Sequence, residues 1–411
     1  MSNRVNRRDF LSTTGSAALG AMVLPRHLVR GPGAPSATLN VACVGIGGMG
    51  MNNMAELMGE NIVAVCDVDF PLVERSLAGR LRPRDGVVAP IATKLQEVYT
   101  KATKYDDFRR MLERQRDIDA VVIATPDHSH AVIAQAAMEM GKHVYVQKPL
   151  TWSVYEARLL ARTAASTGVV TQMGNQGHSM EGTRRINEIV ASGILGPIRE
   201  AHVWTDRPVR YWAQGIPRPP REAPAAPVQD PANPPRWNMG TVERAVIQAM
   251  AANPQSPPPG LNWDLFLGPA QEIPYHPSYH PFSWRGWVDF GSGALGDMGA
   301  HLVDQTYWSL GLTQPTAITT SSSPWGGAAD NPATFPLAVM VEYEFPARGA
   351  APPVRLFWYD GGLMPPRPPF LPDDVALPRG DGGGGVMVGS RGILTYETYG
   401  NRPKVYPESV A

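Results

Sequence analysis

The chain has 411 residues with 37 basic and 37 acidic side chains, so its formal net charge at neutral pH is zero. That balance argues against nucleic acid or an anionic membrane surface as the main partner. Two cysteines exclude a disulfide framework, and no apolar stretch after the N-terminal region is long enough to span a bilayer.

The first element in chain order is Asn6-Arg7-Arg8-Asp9-Phe10-Leu11, followed by a weakly apolar, small-residue run from Ser12 to Leu24. Charge, apolar run and small residues in that order read as a removable twin-arginine signal, over residues 1–36 with its linker. The expected location is therefore periplasmic, or otherwise outside the cytoplasm. The remaining 375 or so residues suggest two domains.

Leu39 to Val44 is a short apolar run ending in Gly45-Ile46-Gly47-Gly48-Met49-Gly50. It reads as strand, glycine turn and helix. A second run, Ile62 to Cys66, ends in Asp67; a third, Ala120 to Ala124, ends in Thr125-Pro126; a fourth, His143 to Val146, ends in Gln147-Lys148-Pro149. Near-continuous apolar strands separated by helical segments predict a parallel sheet covered on both faces. Cys43 and Cys66 fall inside two of these runs and are expected to be buried. Ser153-Val154-Tyr155-Glu156 is a capping box opening the next helix, and Val169 to Gln172 reads as a further strand.

The pattern then changes. A helix is expected around Thr183 to Ala191, and strands over 198–205, 338–345, 354–359 and 386–399. Val339, Val341, Tyr343 and Phe345 alternate with polar or exposed positions, the period of a half-buried strand. The expected fold class is α/β: a Rossmann dinucleotide-binding domain at 37–150, then an α+β domain at 151–411 with a large, mainly antiparallel open sheet. Proline-rich loops occupy 216–235 and 254–260, and loops this long in a compact domain are usually functional or disordered.

The glycine turn is a weak signal alone and a stronger one between a strand and a helix, with an acid at the end of the next strand. Gly45, Gly47, Gly48, Met49 and Gly50 would let a pyrophosphate approach the helix N-terminus. Asp67 would accept hydrogen bonds from the adenosine ribose and repel a 2′-phosphate, which favours NAD over NADP.

Thr125-Pro126-Asp127-His128-Ser129-His130 and Gly141-Lys142-His143-Val144-Tyr145-Val146-Gln147-Lys148-Pro149, with Gly193 to Ile198 and Gly296-Asp297-Met298-Gly299-Ala300-His301, resemble the Gfo/Idh/MocA oxidoreductases. The resemblance covers essentially the whole mature chain. One departure is Gln147, where the family usually has Glu, so Lys148 has one anionic neighbour fewer. The resemblance implies cofactor contacts from Thr125, Pro126, His130, Gln147 and Lys148, and hydride transfer at a CH–OH carbon of a carbohydrate or cyclitol. It also implies association through the open face of the second sheet, as a homodimer or homotetramer.

Such chemistry needs a base for the hydroxyl proton and a cation or donor on the oxygen. Lys148 ends a parallel strand, where such folds bind ligands. Asp297 and His301 are spaced i, i+4 and share a helix face; they look like the family's D-x-x-x-H pair, and the resemblance implies His301 as the acid/base and Asp297 as the orienting or substrate-binding group. His178, Tyr275, Trp284 and Arg285 are candidate sugar contacts, since aromatic faces beside hydrogen-bond donors suit sugar rings. His276 and His280 have the spacing of a metal pair, but a proline after each forbids a regular helix, so no metal is assigned.

Three functions follow as expectations. The first is an NAD(P)-dependent carbohydrate oxidoreductase with tightly bound cofactor, because an exported nicotinamide enzyme meets no free cofactor pool. The second is a redox-neutral NAD-dependent glycoside hydrolase working by oxidation, elimination, hydration and re-reduction. The third is a nucleotide-binding sensor without turnover, which the presence of Lys148 and His301 disfavours.

Overall fold

The computed structural model describes residues 38–411 apart from 84, 223–231, 233–235, 237 and 254. The twin-arginine signal and most of the proline-rich 216–235 stretch lie outside the described residues.

Near-continuous apolar runs become the strands of a six-stranded parallel sheet: β1 (Asn40–Val44), β2 (Asn61–Cys66), β3 (Thr103–Tyr105), β4 (Ala120–Ile123), β5 (His143–Val146) and β6 (Thr171–Met173). Their order is β3-β2-β1-β4-β5-β6, and the reversal between β1 and β4 is the switch point where such sheets bind ligands. Helices α1 (Met49–Glu56), α2 (Phe70–Arg80), α3 (Pro90–Lys101), α4 (Phe108–Arg114), α5 (Asp127–Glu139) and α6 (Val154–Thr167) cover the sheet. Two apolar clusters form its layers, one holding Ala42, Val121, Ile123 and Val146, the other Val41, Cys43, Ile46 and Val65. Cys43 and Cys66 lie on the paired strands β1 and β2 and are buried, and burial pushes the Cys43 thiol up to about 12.

The first domain runs further than residue 150. β6 pairs in parallel with β5, so the helix opened by the Ser153–Glu156 capping box and the strand after it complete the Rossmann sheet. That boundary depends on which strand the sixth one pairs with, a long-range choice.

The glycine turn packs too tightly for side chains at two positions. Gly45 has φ +77° and faces the Ala124–Thr125 backbone, and a Cβ on Gly50 would overlap the Gly45 carbonyl oxygen. A methyl group on Gly48 would meet nothing within 4 Å, so the bareness of this position serves the cleft and not the packing. Gly50→Ala is expected to cost about 2 kcal/mol of folding stability by overpacking. Gly48→Ala should leave the urea midpoint unchanged and weaken NADH binding; equal unfolding midpoints for the two variants would refute this division.

The second domain holds a seven-stranded sheet from β7 (Ile198–Thr205), β8 (Ala317–Ser322), β11 (Val339–Phe345), β12 (Val354–Tyr359), β13 (Gly383–Gly389), β14 (Ile393–Glu397) and β15 (Lys404–Tyr406). β9 (Gly326–Ala328) and β10 (Asn331–Thr334) form a separate two-stranded ribbon. The large sheet has the order β15-β14-β13-β7-β12-β11-β8; β7 and β12 pair in parallel and the rest antiparallel. Val341, Phe345, Val354, Leu356, Trp358, Met387 and Leu394 turn to one face. They pack on α7 (Glu181–Ala191), with α10 (Gly293–Leu302) and α11 (Asp304–Leu310) on the same side. Between these come α8 (Met239–Ala251) and α9 (Trp263–Leu267).

The single strand expected over 386–399 is a hairpin. Gly389 and Gly392 bracket Ser390-Arg391, and the Gly389 amide donates to the Gly392 carbonyl at 2.9 Å. Apolar residues on both sides of a two-residue turn read as one run when the turn is overlooked.

Candidate active site

Every strand end named from the sequence opens onto one cavity of about 690 Å³ between the two domains. Gly45, Gly47, Gly48 and Met49 follow β1, Asp67 follows β2, Thr125 and Pro126 follow β4, and Gln147 and Lys148 follow β5. Asp297 and His301 come from α10 of the other domain, with Trp284 and Arg285 just before it.

The glycine-turn end fits a dinucleotide. No side chain caps α1 and its first turn carries no acid, so its N-terminal amides meet the cleft unopposed. The Thr125 hydroxyl is buried without a hydrogen-bond partner, and Gly48 leaves an open cradle. The Asp67 carboxylate is already engaged: Oδ2 accepts from the amides of Ile46 at 2.7 Å and Gly47 at 3.0 Å, and Oδ1 from Asp69 at 3.0 Å. Burial raises its pKa against those three bonds. Asp67 thus shapes the turn, and a ribose would share its remaining lone pairs.

At the other end Lys148 Nζ donates to Asp297 Oδ1 at 2.8 Å and to the Asp297 carbonyl at 2.7 Å. Arg285 Nε donates to the same Oδ1 at 3.1 Å. Burial opposes ionisation of Asp297, but Lys148 and Arg285 outweigh it and hold the carboxyl at about 2. His301 is buried, with Nδ1 3.0 Å from the Gln176 carbonyl. A carbonyl only accepts, so Nδ1 carries the hydrogen and Nε2 keeps a lone pair. Burial, then the Lys148 charge, pull this imidazole down to about 4, which keeps it neutral and able to accept a proton. Gln147 Oε1 accepts from Gln176 at 3.2 Å and its amide donates to Asn53 at 3.3 Å. A carboxylate in its place would lack that donor.

Asp127 is a candidate site residue that motif reading passed over. It sits in the first turn of α5, lines the cavity, and accepts a hydrogen bond from Ser292 at 2.9 Å. Burial pushes its carboxyl up to about 7 against the pull of Lys148. An acid inside the T-P-x-x-x-H turn was visible; its depth and its proximity to Lys148 were not.

Four expected contacts are not cavity residues: Gly50, which packs against the Gly45 carbonyl, and His130, His178 and Tyr275. His130 holds its ring nitrogens 2.7 Å from the Pro149 carbonyl and 2.8 Å from the Thr125 carbonyl, tying the turn after β4 to the Lys148 segment. Burial pulls its pKa down to about 4, and its ring faces these backbone carbonyls, away from the cavity lining. His178 pairs with Asp304 at 2.8 Å and stacks on Trp308 at 4.4 Å, outside the cleft. Tyr275 is buried in an aromatic cluster against Trp263. His178 is drawn away by partners distant in sequence, Tyr275 by the aromatic cluster of its own segment.

His276 and His280, spaced like a metal pair in the sequence, face different partners. His276 faces Ser278 and the Met250 carbonyl, and His280 pairs with Asp69. Among the described residues no group of three or more His, Cys, Asp or Glu is arranged to hold a metal.

Fold and cleft define a two-domain, dinucleotide-binding oxidoreductase. The family model for the NAD-binding Rossmann domain of the Gfo/Idh/MocA oxidoreductases matches residues 39–175, and that for the family's C-terminal alpha/beta domain matches residues 245–324. Together they take in more than half of the chain, and the protein belongs to the Gfo/Idh/MocA family.

Among curated proteins, a glycosyl hydrolase family 109 protein of Shewanella pealeana is 28% identical over 214 residues, 47% of this chain and 44% of that protein. The inositol 2-dehydrogenase of Salmonella paratyphi B is 26% identical over 164 residues, 39% of this chain and 43% of that protein. The chain aligns with less than half the length of these relatives. Among solved structures, the WlbA dehydrogenase from Bordetella pertussis, in complex with NADH and UDP-GlcNAcA, superposes with a TM-score of 0.54. It has 16% identity over 90% of this chain and 83% of that one. An NAD-binding protein from Listeria innocua gives 0.52, with 16% identity over 91% and 78%. These likenesses carry the fold.

Proposed function

We propose that this protein is an NAD-dependent oxidoreductase that acts at a CH–OH carbon of a carbohydrate or cyclitol and keeps its cofactor between turnovers. The observation that carries this reading is the Lys148–Asp297–His301 cluster facing the same cavity as the glycine turn. The nicotinamide, when bound, supplies the hydride acceptor. Lys148, held by Asp297, donates to the substrate oxygen and stabilises the alkoxide. His301 Nε2 takes the hydroxyl proton while Gln176 fixes the ring. Trp284 and Arg285 flank the substrate. The names of the relatives support a sugar or cyclitol substrate, and Asp67 supports NAD over NADP.

A redox-neutral glycoside hydrolase is the second reading, favoured by Asp127. Elimination and hydration need a second group that gives and takes a proton, and a cavity carboxyl with a pKa of about 7 is matched to that work. A non-catalytic sensor is a third reading that nothing in the cleft favours. We further propose export by the twin-arginine route and a homodimer or homotetramer formed through the second sheet.

The first experiment is to denature purified protein and identify released nucleotide by mass. Near-stoichiometric NAD or NADH is expected, and an empty protein overturns the retained-cofactor reading. Chromogenic glycosides then separate the two enzymes. Aglycone release without added cofactor marks the hydrolase; NADH formed on the protein without release marks the oxidoreductase.

A further inference from the structure

We propose that residues 261–290 of the second domain form a clamp over the bound dinucleotide, fastened at its adenosine end by the Asp69–His280 pair. This rests on the reading of the cleft as a dinucleotide site. Asp69 Oδ2 and His280 Nε2 are 2.8 Å apart, both residues are buried, and 211 positions separate them in the chain. Asp69 is joined to the glycine turn through Asp67, whose Oδ1 accepts its amide. The fastening is thus one residue contact away from the groups that would hold the ribose.

Backbone contacts tack the same segment down on both sides. Leu261 bridges to Asp69, and the Asn262 amide donates to the Val68 carbonyl at 2.9 Å. At the nicotinamide side, His128 Nε2 lies 2.9 Å from the Phe266 carbonyl, and its amide donates to the Phe290 carbonyl at 3.2 Å. Trp152 Nε1 reaches the Val288 carbonyl at 3.0 Å. A mini-core of Phe266, Tyr279, Trp287 and Phe290 stiffens the segment from within. Leu265, Phe266 and Pro269, with His280, Pro281 and Phe282, line the same cavity as Gly47, Gly48 and Met49. A dinucleotide seated on the glycine turn lies against these residues, and the clamp must lift before it leaves. Breaking a buried, hydrogen-bonded pair chiefly accelerates dissociation.

The test loads the full chain with NADH and follows its fluorescence in stopped flow after a chase with excess ADP-ribose. His280→Ala and Asp69→Asn are expected to release NADH at least about tenfold faster than the wild type. His280→Gln, which keeps a donor toward Asp69, should recover most of the slow rate. Association rates should change little. Variant rates equal to the wild type, or no recovery in His280→Gln, overturn the clamp. The retained-cofactor reading is judged separately, by the absolute wild-type rate: fast wild-type release overturns it whatever the variants do. Hydrogen exchange on the wild type needs no variant to fold. Peptides covering 264–269 and 280–282 are expected to gain protection when NADH is added; unchanged exchange there overturns the clamp.

Discussion

Replacing Lys148 by methionine is expected to lower the hydride-transfer rate by about 10³-fold while NADH binding stays within a few-fold of wild type. The side chain keeps an unbranched stem one atom shorter and loses the charge that stabilises a developing alkoxide. Asp297 keeps one of its cationic partners, because Arg285 still donates to its Oδ1 at 3.1 Å. The site therefore keeps its shape and loses one donor. Single-turnover absorbance at the NADH band, with a sugar that reduces the wild-type cofactor, measures the effect. A variant that retains a tenth of the rate would show that Lys148 positions the site without acting on the reacting oxygen.

Asp127 carries the second large effect, on stability as well as activity. Its folded pKa lies at about 7, above the ordinary carboxylate value of 3.8, with burial as the main cause. Between those values the folded chain binds more proton than the unfolded one. Stability therefore falls as pH rises through that window, and the full penalty is present above pH 7. At about 1.4 kcal/mol per unit the limit is roughly 4 kcal/mol. Asp127→Asn keeps an acceptor for Ser292 and removes the penalty. Its unfolding free energy should exceed the wild type's at pH 8 and match it near pH 4. The wild-type rate should also show a titration near neutrality that the variant lacks. Parallel stability curves for the two proteins across this range would mean that the carboxyl is not strained by ionisation.

Much of this site was legible because its parts sit at strand ends. The glycine turn, Asp67, Thr125-Pro126 and Gln147-Lys148 each close an apolar run, and in a parallel sheet those ends must share one edge. Asp297 and His301 were legible through helical spacing. The alternating 339–345 run was legible through its period of two.

Other residues were misjudged because their partners are remote. His178 has the composition of a pocket residue, but Asp304 and Trp308 hold it outside the cleft. Tyr275 belongs to a run dense in aromatics and donors, and only part of that run, from His280 to Arg285, meets the cavity. His130 has the family position of a cofactor contact, yet two backbone carbonyls occupy its ring.

Local pattern thus determined five of the six Rossmann strands and the dinucleotide turn, since periodicity and turn chemistry act over a few residues; the short β3 (Thr103–Tyr105) escaped it, and the lysine, aspartate and histidine were singled out by the family resemblance. The pairing of Lys148 with Asp297, the neutral state of His301, the raised pKa of Asp127 and the Asp69–His280 fastening were decided by tertiary structure. Each depends on burial and on charges brought together from opposite domains, and the energy of a buried charge is set by what surrounds it in space.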